Sequence, residues 1–409
     1  MRTSKDKPYS RRDFFNVAKR VGLTSALFAA GTLGAGATLS SLANASENVS
    51  RTREKKKPIV ILKFGASGFN EQNLDIQKSG QLFFARDLEE RTNGEIQVEF
   101  FGSNQLCGQL DCIRKTQQGI VDIYSASTQN SAAAAPYMNV LDFAYMFPTR
   151  ASQFHFFYDQ RSESLFREPL RKRHNIQFLF THCDLRGLML GNKWKDKPLV
   201  TSLADIQGTK NRVTGTQLGR IAMEQLNLNP VPVAWAETID GLRQGLLDGA
   251  ETWMSAAAYS GMTSVISQAI DLRMFSGNES TAMNYDVFEK LSDKHKEAVM
   301  ESAYCAQIFT HGMNEAGLYE IIGAQTHPNE NTQFQQNNIR FAALSDEERF
   351  KAEQICSPEY NPEPWQKWRN RLNAWAGDID IYQEIHGIAR ELPNDAAVVN
   401  VKPQRWWLG

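Results

Sequence analysis

Twice along this chain an apolar, strand-like run breaks off in a loop of small residues and is followed by a helix-like stretch and another strand. No other feature narrows the possible folds as much. The first run, IVILKFG at 59–65, is almost continuously apolar, as for a strand buried on both faces, and it ends in GASGFNEQN. Ile76, Phe83, Phe84 and Leu88 then keep helical spacing until Asn93 and Gly94 stop the turn. EIQVEF alternates like a strand with one wetter face, a second helix is expected over about 104–118, and GIVDIYSAST reads as a third strand.

The order starts again near Cys183. LRGLMLGN reads as a strand, SLADIQGTKNRV as a turn of helix and a strand, and QLGRIAMEQL as a helix with Leu218, Ile221, Ala222 and Leu226 on one face. TIDGLRQGLLDG and AETW add a helix and a strand. Such alternation predicts an α/β fold with parallel strands and right-handed crossovers, and its repetition predicts two lobes with a cleft between them. Ligands gather beyond the carboxyl ends of such strands and at interfaces between units. Loops 66–70 and 125–130 hold those positions in the first unit. The last third reads as mostly helical, with Ser292 as an N-cap and SDEE at 345–348 as a capping box. Its tryptophans are expected to fasten elements together.

With 42% hydrophobic and 22% charged residues, the 409-residue chain has the composition of a globular protein. A formal net charge of −1 gives no reason to expect a nucleic-acid partner. The first 45 residues read as a removable export signal: Arg11 and Arg12 resemble a twin-arginine address, a weakly apolar stretch follows, and Ala43, Asn44 and Ala45 form a small-x-small site. Removing it takes seven of the 45 basic and two of the 46 acidic residues, leaving 38 against 44. The expected location is therefore the periplasm. Five cysteines, at 107, 112, 183, 305 and 356, leave at least one thiol without an internal partner. Cys107 and Cys112 can be bridged if the chain turns between them, but the helix expected over both favours separate thiols.

None of the seven histidines falls in a recognised metal spacing. His182, Cys183 and Asp184 are adjacent, and neighbours on a strand face opposite ways. No nucleophile elbow and no phosphate loop occur. An exported enzyme that folds around a cofactor remains as an alternative function, without ligands in the sequence to hold the cofactor.

GEIQVEFFGSNQLCGQLDCIRKTQQGIVDIYSAST, NVLDFAYMFP, SLADIQGTKNRVTG and ETIDGLRQGLLDGAETW resemble, in order and spacing, the landmarks of DctP-type substrate-binding proteins of tripartite ATP-independent periplasmic (TRAP) transporters. The resemblance implies a two-lobed, periplasmic-binding-protein-like fold with a helical C-terminal region. The expected division is 46–182 with 278–315 for lobe I and 183–277 with 316–409 for lobe II. It implies capture of a small organic acid in the cleft and delivery to the small and large membrane subunits, with no catalysis; a binding protein serving a sensor is the other alternative. Arg212, in KNRV, matches the arginine that holds the ligand carboxylate, a task suited to a planar fork that stays charged. Arg186, followed by Asn192, looks like the second family arginine. Thr252 is expected to donate to a ligand oxygen and Trp253 to pack on its carbon skeleton. Glu251 is either a helix cap, the preferred reading, or a ligand for a cation bridging to the substrate; no other cofactor is implied. Asn70, Ser127, Thr128, Tyr145 and Phe147 look like the lobe I wall, although Tyr145 and Phe147 also suit a core.

Overall fold

The computed structural model describes residues 57–67 and 79–408. The export leader and Asn70 lie outside them. The first unit holds β1 (Val60–Ala66), α1 (Ser79–Arg91), β2 (Ile96–Phe101), α2 (Cys112–Gln117), β3 (Ile123–Ser127) and the single turn α3 (Thr128–Ser131). β1 pairs in parallel with β2 and with β3. Helices α4 (Arg150–Tyr158) and α5 (Glu168–His174) lead into the 16-residue strand β4 (Ile176–Gly191).

The second unit repeats the motif with β5 (Lys210–Val213), α6 (Gln217–Gln225), β6 (Asn229–Pro232), α7 (Trp235–Arg243) and β7 (Gly249–Trp253). Here β5 is parallel to both β6 and β7. After α8 (Met254–Tyr259) the chain runs back along the 19-residue strand β8 (Ile266–Asn284). The sheet order is β2-β1-β3-β8-β4-β7-β5-β6. Two parallel triplets are thus joined by β4 and β8, which pair antiparallel along nearly their whole lengths and belong to both units. Near Gly187 their register breaks: Arg186 faces Phe275 but Leu188 faces Ile270, so residues 271–274 bulge out of β8. Arg273, in that bulge, takes a left-handed φ of 55°.

The remaining elements are α9 (Tyr285–Glu289), α10 (Asp293–Ala316), α11 (Gln333–Gln336), β9 (Arg340–Ala342), α12 (Asp346–Cys356), α13 (Gln366–Trp375) and α14 (Ile381–Ala389). Ser292 and Ser345 cap α10 and α12 as expected, accepting from the amides of His295 and Glu348. The long α10 lies along α1, where Phe83 stacks on Phe309 at 4.6 Å. The C-terminal elements touch both units. Trp365 and Tyr382 pack on Phe143, Arg167 lies 4.3 Å from the Trp406 ring centre, and Asn361 bonds Gln225 of α6 at 3.0 Å. A second, smaller core centred on Met189, Leu242, Leu247, Met254 and Phe334 fills one side of the second unit.

Three local expectations change. β1 is not buried on both faces throughout, since Ile61 is 50% exposed and Lys63 also reaches solvent. The helix expected over about 104–118 is only Cys112–Gln117, because Ser103 and Asn104 adopt left-handed backbone and turn the chain first. Cys107 consequently lies outside the helix, with its Cα 4.7 Å from that of Cys112, and the two form a disulfide. Cys183, Cys305 and Cys356 are free and buried.

Candidate functional site

β5 ends at the junction of the two units, and Arg212 stands there with only 3% of its surface exposed. Its Nε donates to the Val233 carbonyl at 3.1 Å and its Nη1 to the Glu251 carbonyl at 3.5 Å, while the guanidinium lies 5.1 Å from the Trp235 ring centre. Among the described residues no carboxylate pairs with it and Nη2 makes no hydrogen bond. Burial and the nearby Arg186 cation pull its pKa down to about 10, with Glu251 opposing. The strand end therefore presents a buried cation with one prong open.

Arg186 occupies β4 directly opposite Trp253 of β7. Its Nε and Nη2 grip the Glu251 carboxylate, Nη2 reaching Oε2 at 2.8 Å and the Glu251 carbonyl at 3.2 Å. This corrects the cap expected of Glu251: the residue lies inside β7, and its side chain is a counterion. Arg186 donates to both carboxylate oxygens of Glu251. Among the described residues His155, Asp159 and Glu391 are grouped closely enough to hold a metal, but Arg161 already bonds both acids.

Trp253 packs 5.1 Å from the Arg186 guanidinium, and its buried Nε1 has no partner among the described residues. Gly277 makes room for it, since a Cβ there would meet the indole at 2.7 Å. Thr252 pairs with Gly187 and by strand alternation faces the side opposite Glu251 and Trp253, the side shared by Ala250, the register partner of Arg212.

Ser127 closes β3 opposite Glu279 of β8, and Thr128 begins α3, its hydroxyl 3.5 Å from the Asn278 carbonyl. Phe147 is 1% exposed and packs on Phe156, and Tyr145 donates its hydroxyl to the Leu272 carbonyl. Both are part of the buried core cluster.

Three further residues were given no role in the sequence reading. Gln129 of α3 accepts a 2.8 Å hydrogen bond from Thr214, two positions beyond Arg212, and so links the two units. Asp142 is wholly buried and neither of its oxygens has a hydrogen bond among the described residues; Gln129 lies beside it without hydrogen-bond geometry. Burial drives its pKa up to about 7 against the pull of Arg186. The signal was available: a lone acid inside NVLDFAYMF is an anomaly in a core segment. Gln109 bonds Ser127, Asn130 and Glu279.

Two parallel units sharing a pair of long strands, with a buried half-open cation where they meet, define a two-lobed α/β protein built to bind a ligand between its lobes. The chain belongs to the bacterial extracellular solute-binding protein family 7, the DctP family, whose model matches residues 68–362. It is 27% identical over 180 residues to the uncharacterised protein YiiZ of Salmonella typhimurium, a match covering 44% of this chain and 54% of that one, about half its length. To the 2,3-diketo-L-gulonate-binding periplasmic protein YiaO of Escherichia coli it is 24% identical over 272 residues, covering 62% of this chain and 79% of YiaO. The crystal structure of a TRAP periplasmic solute-binding protein from Roseobacter denitrificans, with bound β-D-glucuronate, shares its fold at a TM-score of 0.64 and 20% identity, over 79% of this chain and 99% of that one. YiaO and the R. denitrificans protein are both named as periplasmic binding proteins. No helix among the described residues is long and apolar enough to cross a membrane.

Proposed function

We propose that this protein captures a small organic acid in the cleft between its units, through the ligand's carboxylate and Arg212, and delivers it to the membrane subunits of a TRAP transporter. The observation that carries this reading is the state of Arg212: a guanidinium 3% exposed with no carboxylate partner among the described residues. Burying a charge without a counterion is costly, and an incoming carboxylate removes that cost. Arg186 is already neutralised by Glu251, so it supports the site from behind and leaves Arg212 as the anchor. The Thr214–Gln129 bond favours a closed arrangement in which the bound acid is screened from water.

The E. coli relative named for 2,3-diketo-L-gulonate and the R. denitrificans structure holding β-D-glucuronate support a sugar-acid-sized ligand. A thermal-shift screen of sugar acids, keto acids and dicarboxylates, followed by calorimetry, tests the reading. Arg212→Ala is expected to weaken the binding of the best acid about 100-fold or more. Unchanged affinity in that variant refutes the anchor.

A further inference from the structure

The Cys107–Cys112 disulfide closes a loop that contains Gln109. We propose that this loop is a positioning device for the first-unit wall of the anion cleft and that Gln109 is the side chain through which it acts; the proposal rests on the reading of Arg212 as the ligand anchor.

Gln109 uses both ends of its amide. Its Oε1 accepts from the Ser127 backbone amide at 2.9 Å and from Asn130 at 3.2 Å, and its Nε2 donates to Glu279 at 2.9 Å. Ser127 and Glu279 are register partners on β3 and β8, so one side chain ties two strands and the first turn of α3 together. From α3 the connection continues to the second unit, since Gln129 accepts from Thr214, two residues beyond Arg212. The backbone leading to Gln109 belongs to no helix or strand, and Ser103 and Asn104 turn it in left-handed conformations. A segment of that kind holds a side chain in one place only if something else restrains it. The disulfide does so, and the loop is seated on β1: at Gly65 a Cβ would lie 2.7 Å from the Cys107 Sγ, so only a glycine leaves room for the bridge. Within the loop, Asp111 accepts from the Gly108 amide at 2.7 Å and pairs with Lys115.

Hydrogen exchange at the Ser127 amide reads the Gln109 contact without any ligand. Dithiothreitol gives the disulfide two electrons and two protons, leaving two thiols, and departs as its own cyclic disulfide. The other three cysteines are free and buried, so the bridge between Cys107 and Cys112 is its target. Reduction of the full chain is expected to speed Ser127 exchange about tenfold, the effect of losing one hydrogen bond, and reoxidation to restore it. Gln109→Ala is expected to give the same acceleration and to make the amide indifferent to reductant. A Cys107→Ser/Cys112→Ser variant, expected to behave as the reduced protein does, separates loss of the bridge from any side effect of the reagent. Calorimetry with D-glucuronate as probe is expected to show a parallel loss of about tenfold in affinity. Ser127 exchange that is unchanged after reduction, or unchanged in Gln109→Ala, overturns the proposal. Failure of the anchor reading shows separately, as D-glucuronate binding that survives Arg212→Ala, and leaves the Ser127 measurement to decide the role of Gln109.

Discussion

The Arg186 guanidinium holds the Glu251 carboxylate in a two-pronged ion pair whose side chains are 2% and 1% exposed. The partners lie 65 residues apart in the chain but on adjacent strands, β4 and β7. Removing one of them leaves the other charged and buried. Glu251→Gln is expected to lower unfolding stability by about 3–5 kcal/mol in urea titrations. Replacing both, as Arg186→Met with Glu251→Leu, is expected to recover most of that loss. A single variant as stable as wild type would show that the pair is not desolvated.

Asp142 contributes a pH dependence of opposite sense to that of a salt-bridged acid. Burial lifts its pKa from the ordinary aspartate range to about 7. The folded protein therefore keeps this proton up to about pH 7, whereas the unfolded chain releases it near pH 4. Stability falls as pH rises through that window and stays lower above it. Asp142→Asn removes this dependence. Relative to wild type, the variant is expected to gain about 4 kcal/mol in going from pH 4 to pH 8, as measured by chemical denaturation. The same stability difference at both pH values would contradict the assignment.

Arg212→Lys tests geometry apart from charge. An ammonium keeps the positive charge but loses the planar fork and its fixed donors. D-Glucuronate binding is expected to weaken about tenfold by calorimetry, between wild type and Arg212→Ala. Equal loss in the lysine and alanine variants would mean that charge contributes nothing.

At Gly187 the backbone of β8 comes close to that of β4. A Cβ there would fall 2.2 Å from the Ile270 carbonyl oxygen, which is backbone and cannot swing aside. Gly187→Ala is expected to cost about 1–3 kcal/mol of stability, read as a lowered melting temperature. Wild-type melting would indicate that the strands can part there without loss.

The two parallel units were legible because each is written in local patterns: apolar runs for β1 and β3, helical spacing in α1 and α6, and a glycine stop after Asn93. The place of Arg212 near the end of a short strand was legible for the same reason. The strand that joins the units was not. β8 carries Ser267, Ser276, Asn278 and Glu279, residues that seldom announce a buried strand, and it is stabilised by pairing with β4 nearly a hundred residues earlier. Glu251 was misread because its partner lies in that same distant strand, and no local rule connects the two. The disulfide was hidden by helical spacing around Cys107 that the left-handed turn at Ser103 and Asn104 overrides. The wall expected at Tyr145 and Phe147 rests on apolar sequence of the kind that serves a core equally well, and both residues are buried.

Because β4 and β8 belong to both units, the two units are joined, among the described residues, by continuous paired strands. Any opening of the cleft must twist two continuous ribbons that are laced together over most of their length. The lacing is interrupted at Phe178/Phe180, at Leu190/Gly191 and, most widely, where Gly187 faces the bulge at 271–274. The same height holds Arg186, directly across from Phe275 and next to Gly187. The buried ion pair and the widest break in the β4–β8 ladder thus fall at the same place in the sheet.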